Sequence, residues 1–400
     1  MTPVPDGAPR PYAGLRVVEM SIAVAGAYTA MLLGDLGADV VKIEPPGGDE
    51  SRRWQPSIAD GEDGCYFVSV NRSKQSLELD IKSPHGRDVL DRLLSDADVL
   101  IVNFRPQALD RLGLDVDTVR RRYPRLIYAT LTGFGLTGPR ANQPAMDLFI
   151  QAQSGLMSIT GTQDGTPVKV PVPLVDLAAA LFAMTGIQSA IRERDSSGRG
   201  AHIDVCLQDS LIAFLLYHMT GYLETGAQPR PMGTAHPGIV PYRSFPTQNG
   251  QLVLAVFTDR QFASAATVIG RPELAEDPRF ARVEHRVRHR EHLDAVFTEA
   301  FASASTRHWV DAMTEADVPC TPISNLAAVA DDPDVRARGA IATLHGPDGR
   351  SIRMPASPLI IDGHRVQPRR PPPNLDADAD EVMAALGYPV DNGSQIRSTR

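Results

Sequence analysis

The sequence has few cysteines and no long apolar run. Its three cysteines, Cys65, Cys206 and Cys320, lie far apart, are odd in number and form no CxxC pair. This spacing argues against a disulfide framework and a zinc site, so we expect no metal and a reducing, cytoplasmic location. The most apolar stretch, LIAFLLYHM at 211–219, is far shorter than the roughly 20 residues of a membrane span, so we expect no membrane partner.

The chain also lacks an excess of positive charge, since its 40 basic residues are outnumbered by 48 acidic ones and the formal net charge is -8. This balance argues against a nucleic-acid partner but allows a local basic pocket for one anionic ligand. The first residues, MTPVPDGAPRPY, have no apolar core, so we expect no signal peptide there. The length of 400 residues and the hydrophobic fraction of 42% fit a globular protein with about two or three domains.

Glycine is scarce where a dinucleotide-binding turn would need it. The stretch EMSIAVAGAYTA contains one glycine, Gly26. The dinucleotide fingerprint needs three, for the tight turn and the close approach of the pyrophosphate. Glu44 stands where an acid could bind ribose hydroxyls, but without those glycines we expect no nicotinamide cofactor.

What the sequence does contain is a regular alternation of strand and helix patterns. Apolar strand patterns occur in LRVVEM (15–20), DVVKIE (39–44), QSLELDI, DVLIVNF and LIYATLTGFG. Helical segments separate them, one opened by Ser83-Pro84 and a long one closed by SSGRG. The alternation predicts an open α/β sheet of Rossmann-like type.

The composition changes after about residue 225. The stretch TGAQPRPMGTAHPGIVPY is rich in proline and glycine and is typical of a linker. Beyond it come a strand pattern, QLVLAVF, and helical segments rich in arginine and histidine. This change predicts a second, smaller domain.

Basic, amide and aromatic residues follow several predicted strands, at the edge where open α/β sheets bind ligands. The set comprises Arg52, Arg53, Asn103, Phe104, Arg105, Arg111 and Arg140, while Lys74 precedes the third strand. A guanidinium fork binds two phosphate oxygens at once, so the set favours a phosphate-bearing ligand. The alternative is that these are solvated surface arginines.

A lone carboxylate, Asp176, interrupts the apolar stretch VPLVDLAAALFAMTG. Aspartate ahead of a helix commonly caps it by accepting a backbone N–H, which is worth about 0.5–2 kcal/mol. The residues alone leave two interpretations open, a helix cap or a group that does chemistry.

Many ordered blocks of the chain resemble the family III CoA-transferases of CaiB/BaiF type, which include formyl-CoA transferase and α-methylacyl-CoA racemase. The blocks include GLRVVEMSIAVAGAYTAMLLGDLGADVVKIEPPGGDESR, NRSKQSLELDIKSPHGRDVL, ADVLIVNFRPQALDRLGL, ATLTGFGLTGP, DLFIQAQSG and SGRGAHIDVCLQD. The likeness runs from about residue 12 to 250 and, more weakly, to about 365.

The resemblance implies a Rossmann-like large domain built from both chain ends, a smaller α+β domain and two chains interlocked as rings in a homodimer. With the composition change it predicts the first part of the large, CoA-binding domain over 12–200 and a linker over 201–240. The small domain then covers 241–325, and 326–400 forms the return linker and the C-terminal part of the large domain.

The resemblance also implies coenzyme A, carried as acyl-CoA, as a substrate. The residues at CoA-contacting positions are Lys74, Asn103, Phe104 and Arg111. The family often has a basic residue after KIE, where this chain has Pro45, so Arg52 or Arg53 would have to replace it.

In these transferases the aspartate at the position of Asp176, between an apolar strand and the next helix, is the covalent nucleophile. It would attack the acyl-CoA carbonyl, and the released CoA thiolate would convert the mixed anhydride into an aspartyl-CoA thioester. The acceptor carboxylate would then reverse the sequence. The N-terminus of the following helix would offer N–H groups to the oxyanions.

Two other activities stay open as alternatives. A 2-methylacyl-CoA racemase or epimerase needs an acid/base group on each face of the α-carbon, and the racemases have a His-Asp pair where this chain has Met146 and Asp147. A thioether carries no proton, which favours the transferase, with Asp147 as an auxiliary group or a helix cap. A non-catalytic CoA-binding protein is the alternative of another class.

The block GTAHPGIVPY bears on the substrate. It lacks the glycine run of formyl-CoA transferases, so formyl transfer is disfavoured. His236, with Gly238 beside it, could neutralise the second carboxylate of a dicarboxylic donor or acceptor, since histidine readily carries charge near neutral pH. A surface histidine in a linker is the alternative.

Overall fold

The computed structural model describes residues 10–59, 63–346, 349 and 351–389. Contacts divide the chain into two compact units. The first comprises the residues up to Leu156, Lys169–Ala227 and the residues from Asp334 onward, and the second comprises Met157–Val168 and Gln228–Pro333.

Strands and helices alternate through the first part of the chain. Their bounds are β1 (Arg16–Met20), α1 (Ala25–Asp35), β2 (Asp39–Glu44), α2 (Cys65–Val70), β3 (Gln75–Glu78), α3 (Pro84–Asp96), β4 (Val99–Val102), α4 (Pro106–Leu112), α5 (Val116–Arg122), β5 (Ile127–Thr132), α6 (Asp147–Gln153), α7 (Leu156–Ile159), α8 (Leu174–Ser197), β6 (His202–Cys206), α9 (Leu207–Phe214) and α10 (Leu216–Thr225).

Strands β1 to β6 form one parallel sheet in the order β3-β2-β1-β4-β5-β6. Because all six strands are parallel, their carboxyl ends lie at one edge, and the order reverses direction between β1 and β4. Ligands of open α/β sheets bind in the crevice outside such a reversal. The predicted α/β fold with an open parallel sheet is confirmed.

Apolar layers cover both faces of this sheet. Val17 points into a cluster with residues of α1 and α8, while Val18 points into a cluster with residues of α3 and α17, the helix over Ala379–Ala385. Successive strand residues face opposite sides, so a strand buried on both sides is apolar throughout. This explains the continuous apolar runs that identified the strands.

Helix α8 is, by length and composition, the one described helix that could cross a membrane. A core helix of a globular protein passes the same test. In this structure α8 packs against α1, β5 and β6, and its buried residues include Val175, Ala183 and Ile187. The sequence prediction considered only the shorter run at 211–219, so this longer apolar helix is a correction to it.

Two sequence predictions near α8 differ from the structure. Residues 202–225, placed in the predicted linker over 201–240, form β6, α9 and α10 of the first unit, because Val205, Leu207 and Leu211 pack into its core. The stretch VPVPLV before Asp176 is not a strand, and α8 begins within it at Leu174.

The second unit contains a three-stranded antiparallel sheet, β7-β8-β9, with helices around an aromatic core. Phe245, Phe297, Phe301 and Trp309 are among its buried residues. The elements here are β7 (Tyr242–Thr247), β8 (Gly250–Ala255), α11 (Asp259–Val268), α12 (Val283–Arg288), α13 (Arg290–Phe301), α14 (Thr306–Glu315), β9 (Cys320–Pro322) and α15 (Leu326–Asp331).

The last described segment returns to the first unit and covers the edge of its sheet. Its elements are α16 (Pro333–Ala337), β10 (Ile341–His345), β11 (Ser351–Pro355), β12 (Ile360–Ile361), β13 (His364–Arg365) and α17. The Ser76 amide of β3 donates to Asp378 Oδ2 at 2.9 Å, and the Glu78 amide donates to Asp376 Oδ1 at 2.9 Å. Aspartate side chains thus satisfy N–H groups at an edge strand that has no further strand beside it.

Candidate active site

The loop after β1 and the end of β4 are tied together where the strand order reverses. Asn103 Oδ1 accepts a hydrogen bond from the Ile22 amide at 3.0 Å, and Asn103 Nδ2 donates to the Ile22 carbonyl at 2.7 Å. Ala23, next in the loop, has φ of 66°, a left-handed conformation that is uncommon outside glycine. The Asn103 side chain therefore holds this loop rather than standing free at the carboxyl edge.

Asp176 is the third residue of α8 and lies in its first turn. Among the residues that the structure describes, none donates a hydrogen bond to its half-buried carboxylate. Burial, reinforced by the nearby charge of Asp147, raises the pKa of Asp176 from 3.8 to about 7. The N-terminus of a helix favours an anion, whereas burial and repulsion from Asp147 favour the neutral acid.

Asp147 is the first residue of α6 and caps α8 from a different helix. Its Oδ1 accepts from the Val175 amide at 2.8 Å, and its Oδ2 accepts from Gln151 Nε2 at 2.6 Å. Pro173, at the N-cap of α8, makes no side-chain capping bond, so an acceptor from elsewhere is needed. The capping role considered for Asp176 therefore belongs to Asp147.

Gln151 joins this cap to the chain that precedes α8. Its Nε2 also donates to the Val170 carbonyl at 3.2 Å, and its Oε1 accepts from the Val170 amide at 2.8 Å. The side chain is fully buried. Gln151 thus holds Asp147 and the segment before α8 in one arrangement.

Tyr66 on α2 completes the surroundings of Asp176. Burial and the charges of Asp176 and Asp147 raise the pKa of the Tyr66 hydroxyl, so it stays protonated and able to donate. Its side chain packs against the buried cluster of Val24, Ala27 and Val70, and Leu177 of α8 packs against the same cluster. The segment CYFVSV carries no motif that would have identified Tyr66 from sequence.

Two of the predicted phosphate-binding residues lie inside the protein instead. The Lys74 ammonium is fully buried, 3.0 Å from Glu19 Oε2 and 2.7 Å from Asn71 Oδ1. Arg52 is also buried, with Glu44 on two of its nitrogens and Asp63 on a third. Both cations already have buried carboxylate partners, so in this structure neither reaches a phosphate at the surface.

The other residues predicted at the carboxyl edge are more accessible. Arg53 and Arg111 are exposed, Arg53 donating to the Gly47 carbonyl at 2.8 Å and Arg111 standing in the last turn of α4. Phe104 packs partly buried against the core. Arg140 is engaged by two glutamines, with Nη2 donating to Gln208 at 2.6 Å and Nη1 to Gln153 at 3.0 Å.

His236 and Gly238 lie in the second unit. The Gly238 amide donates to His236 Nδ1 at 3.1 Å, which makes Nδ1 the acceptor and leaves the ring proton on Nε2. The imidazole packs against Tyr242 with ring centroids 5.2 Å apart, and Arg290 Nη2 donates to the His236 carbonyl at 2.7 Å. The histidine is thus held in a defined orientation within its own unit.

Two observations concern the other chemistries considered, a racemase and a metal-dependent reaction. The Met146 side chain is exposed beside Asp147 and has no titratable group, so it cannot serve as the second acid/base group of a racemase. Among the described residues, no three His, Cys, Asp or Glu side chains come together as a metal site. A half-buried carboxylate whose pKa is near 7, in the first turn of a helix, suits a nucleophile or a general base.

Comparisons with known proteins identify the family of this chain. The model of CoA-transferase family III matches residues 12–379. The chain is 37% identical over 392 residues to the succinate–glutarate CoA-transferase of Agrobacterium fabrum, covering 96% of this chain and 98% of that protein. It is 38% identical over 382 residues to the acetyl-CoA:oxalate CoA-transferase of Acetobacter aceti, covering 95% of this chain and 96% of that protein.

A solved structure from the same family is also similar to this chain. A CaiB/BaiF family protein from Brucella suis superposes with a TM-score of 0.86 at 35% identity, covering 94% of this chain and 100% of that chain. The predicted resemblance is confirmed, and so is the predicted transferase class. This chain belongs to CoA-transferase family III and is an enzyme of the transferase class.

Proposed function

We propose that the enzyme moves CoA from an acyl-CoA to a carboxylic acid through a covalent intermediate on Asp176. The supporting observation is its carboxylate, half-buried in the first turn of α8 with no hydrogen-bond donor among the described residues. A carboxylate oxygen without donors keeps its lone pairs for attack. Near neutral pH a fraction of Asp176 is ionised, and no further group is needed to deprotonate that fraction.

The steps balance without a co-reactant. Asp176 attacks the thioester carbonyl, the C–S bond breaks and CoA leaves as thiolate, which leaves an acyl–aspartyl anhydride. The thiolate attacks the aspartyl carbonyl and releases the donor acid as carboxylate. The acceptor carboxylate attacks the resulting aspartyl-CoA thioester, the C–S bond breaks and CoA leaves again as thiolate, which leaves an acceptor–aspartyl anhydride. The thiolate then attacks the acceptor carbonyl of this anhydride, which gives the acceptor acyl-CoA and frees the Asp176 carboxylate.

Few backbone donors are left for the oxyanion on Asp176. In the first turn of α8, the Leu174 amide donates to the Val172 carbonyl, the Val175 amide to Asp147, and the Leu177 amide to the Pro173 carbonyl. The Asp176 amide is the one amide of this described turn without an acceptor. We assign it, together with the protonated Tyr66 hydroxyl, to the oxyanion.

The names of the relatives and the contacts of His236 support a proposal for the substrate class. Related enzymes are named for succinate, glutarate, oxalate and mesaconate, all dicarboxylic acids. We propose a dicarboxylic donor or acceptor for this enzyme, with His236 Nε2–H and the Gly238 segment recognising its second carboxylate. For CoA we propose Arg53 and Arg111, two of the exposed basic members of the predicted set, with Asn103 and Phe104 shaping the site.

Assembly and location are proposals as well. Helices α8 to α10 expose apolar side chains, among them Leu181, Phe182, Phe214, Leu216 and Leu223. Clusters of exposed apolar side chains favour a protein interface, so these residues support the expected interlocked homodimer. The strand order supports a Rossmann-like large domain, and the scattered cysteines support a cytoplasmic location.

The test uses Asp176→Asn beside Asp195→Asn, which changes an exposed aspartate near the other end of α8. We expect Asp176→Asn to abolish CoA exchange while CoA binding persists, and Asp195→Asn to behave as wild type. Hydroxylamine or borohydride added during turnover should modify Asp176 in the wild type, read by peptide mass. Deuterium uptake at the α-carbon of a 2-methylacyl-CoA without label on Asp176 would establish the racemase, and CoA binding without either activity would establish the non-catalytic alternative.

A further inference from the structure

A buried cluster of charges lies beneath the loop that follows β1. Glu19, Lys42 and Lys74 are fully buried, and Glu19 bridges the two lysines, with Oε1 3.0 Å from Lys42 Nζ and Oε2 3.0 Å from Lys74 Nζ. Asp49 Oδ2 lies 3.1 Å from Lys42 on its other side. Two cations therefore face two carboxylates in the interior, so the cluster is balanced.

The cluster holds the backbone and side chain of Ser21, the first residue after β1. Lys42 Nζ donates to the Ser21 carbonyl at 2.8 Å, and the Ser21 amide donates to Glu19 Oε1 at 3.1 Å. The Ser21 hydroxyl also donates to Glu19 Oε1. Every polar group of Ser21 is thus bound to the cluster, and hydrogen bonds to charged partners are stronger than neutral ones.

The position of Ser21 also determines the position of α1, because the two are packed together. A Cβ on Gly26 would lie 2.5 Å from Ser21 Cβ, so the first turn of α1 rests directly on Ser21. Asn103 pins the next residue, Ile22, through both its amide and its carbonyl. The loop therefore has little freedom between β1 and the start of α1.

The start of α1 packs beside the first turn of α8, which carries Asp176. Val24 and Ala27 pack with Tyr66 and with Leu177, the residue after Asp176. A movement of Ser21 would shift α1 against the first turn of α8 and against the Tyr66 hydroxyl. Misplacing reacting groups by about 1 Å can cost about 100-fold in rate.

We propose that Glu19, held between Lys42 and Lys74, is a positioning residue that fixes the loop after β1 and thereby aligns Tyr66 and the first turn of α8 around Asp176. This inference rests on the proposed role of Asp176 as nucleophile. In this proposal Lys74 holds Glu19 and so helps to fix the loop after β1, and it does not contact a CoA phosphate. The two lysines hold Glu19 ionised despite its burial, and they lower its pKa to about 2.

The other end of α1 offers a matched control. Asp35, in its last turn, is buried and paired with Arg72 at 2.8 Å, and Asp35 Oδ1 accepts from the Ser73 hydroxyl at 2.7 Å. This pair has the same kind of buried carboxylate, cation and serine as the Glu19 cluster. It holds the end of α1 that is remote from Asp176.

The first experiment compares Glu19→Gln/Lys74→Met with Asp35→Asn/Arg72→Met. Each double variant removes one buried anion and one buried cation, so the interior charge stays balanced. We expect the Glu19 pair to lower kcat by about 10–100-fold with little change in the KM for acyl-CoA. The Asp35 pair should lower Tm while kcat stays near wild type. Equal losses of kcat in the two pairs, or no loss in the Glu19 pair, would overturn the inference.

The second experiment uses smaller changes that preserve both ion pairs. Ser21→Ala removes a hydroxyl bound to Glu19, and Ser73→Ala removes one bound to Asp35. We expect kcat to fall several-fold for Ser21→Ala and to stay near wild type for Ser73→Ala. Less adduct should be trapped on Asp176 of Ser21→Ala in a fixed reaction time. An unchanged kcat for Ser21→Ala would overturn the inference. Trapping on the wild type reports separately on Asp176, since a wild type that transfers CoA without an adduct refutes the proposed function itself.

Discussion

Replacing Asp176 by asparagine should stabilise the folded enzyme above pH 7. Burial and the charge of Asp147 favour the protonated acid, so the pKa of Asp176 rises from 3.8 to about 7 on folding. At about 1.36 kcal/mol per pH unit this corresponds to about 4 kcal/mol. Solvent reaches part of the side chain and screens these effects, so we expect about 2–4 kcal/mol.

The sign of the pH dependence follows from proton binding. Between about pH 4 and pH 7 the unfolded chain has lost the Asp176 proton while the folded chain retains it, so this group makes folding less favourable as pH rises. Asparagine carries no charge, so the variant does not lose folding stability in this way as pH rises. The stability gained by Asp176→Asn should therefore grow from pH 4 to pH 7 and stay constant above that.

The assay is the Tm of wild type, Asp176→Asn and the exposed-site control Asp195→Asn across this pH range. Carbon-13 NMR of labelled aspartate would follow the Asp176 carboxyl directly. Asp147→Asn should move the Asp176 midpoint toward lower pH, because it removes the neighbouring charge. A Tm difference that is the same at every pH, or a midpoint near 4 in the wild type, would refute the reasoning.

Three further predictions concern CoA, the loop after β1 and assembly. Arg111→Ala should weaken CoA binding by about 1.5–3 kcal/mol, the scale of a charge-assisted bond, in isothermal titration, whereas the exposed Arg120→Ala should not. Gly26→Ala should lower Tm because its Cβ would lie 2.5 Å from Ser21 Cβ, while Gly221→Ala, with nothing within 4 Å in α10, should raise it. Sedimentation should give roughly twice 43.2 kDa, and an active monomer would contradict the homodimer.

Features that depend on neighbouring residues could be predicted from the sequence. Ser83 accepts from the Gly86 amide at 3.0 Å with Pro84 at the first helical position, and Gly198 ends α8 at φ of 70°. The strand and helix pattern likewise follows from local apolar periodicity. These signals predicted the parallel sheet, and the resemblance identified Asp176 as a candidate.

The partners of the charged groups could not be predicted in this way. Asp147 caps α8 from 28 residues away, and Lys74 pairs with a glutamate 55 residues earlier. Sequence shows that such residues are charged, but not whether folding buries them against each other. A signal was present, since Glu19 and Lys42 each interrupt an apolar strand that the predicted sheet buries on both faces.

The return of the chain to β3 has a consequence for biosynthesis. The Ser76 amide and its Asp378 acceptor are separated by 302 residues, so the ribosome makes β3 long before its cover exists. Until then the nascent sheet presents an open edge strand, which is a template for wrong pairing with other chains. That edge is covered only after the chain has been made through Asp378, and truncation ahead of Asp376 should leave a product that chaperones retain.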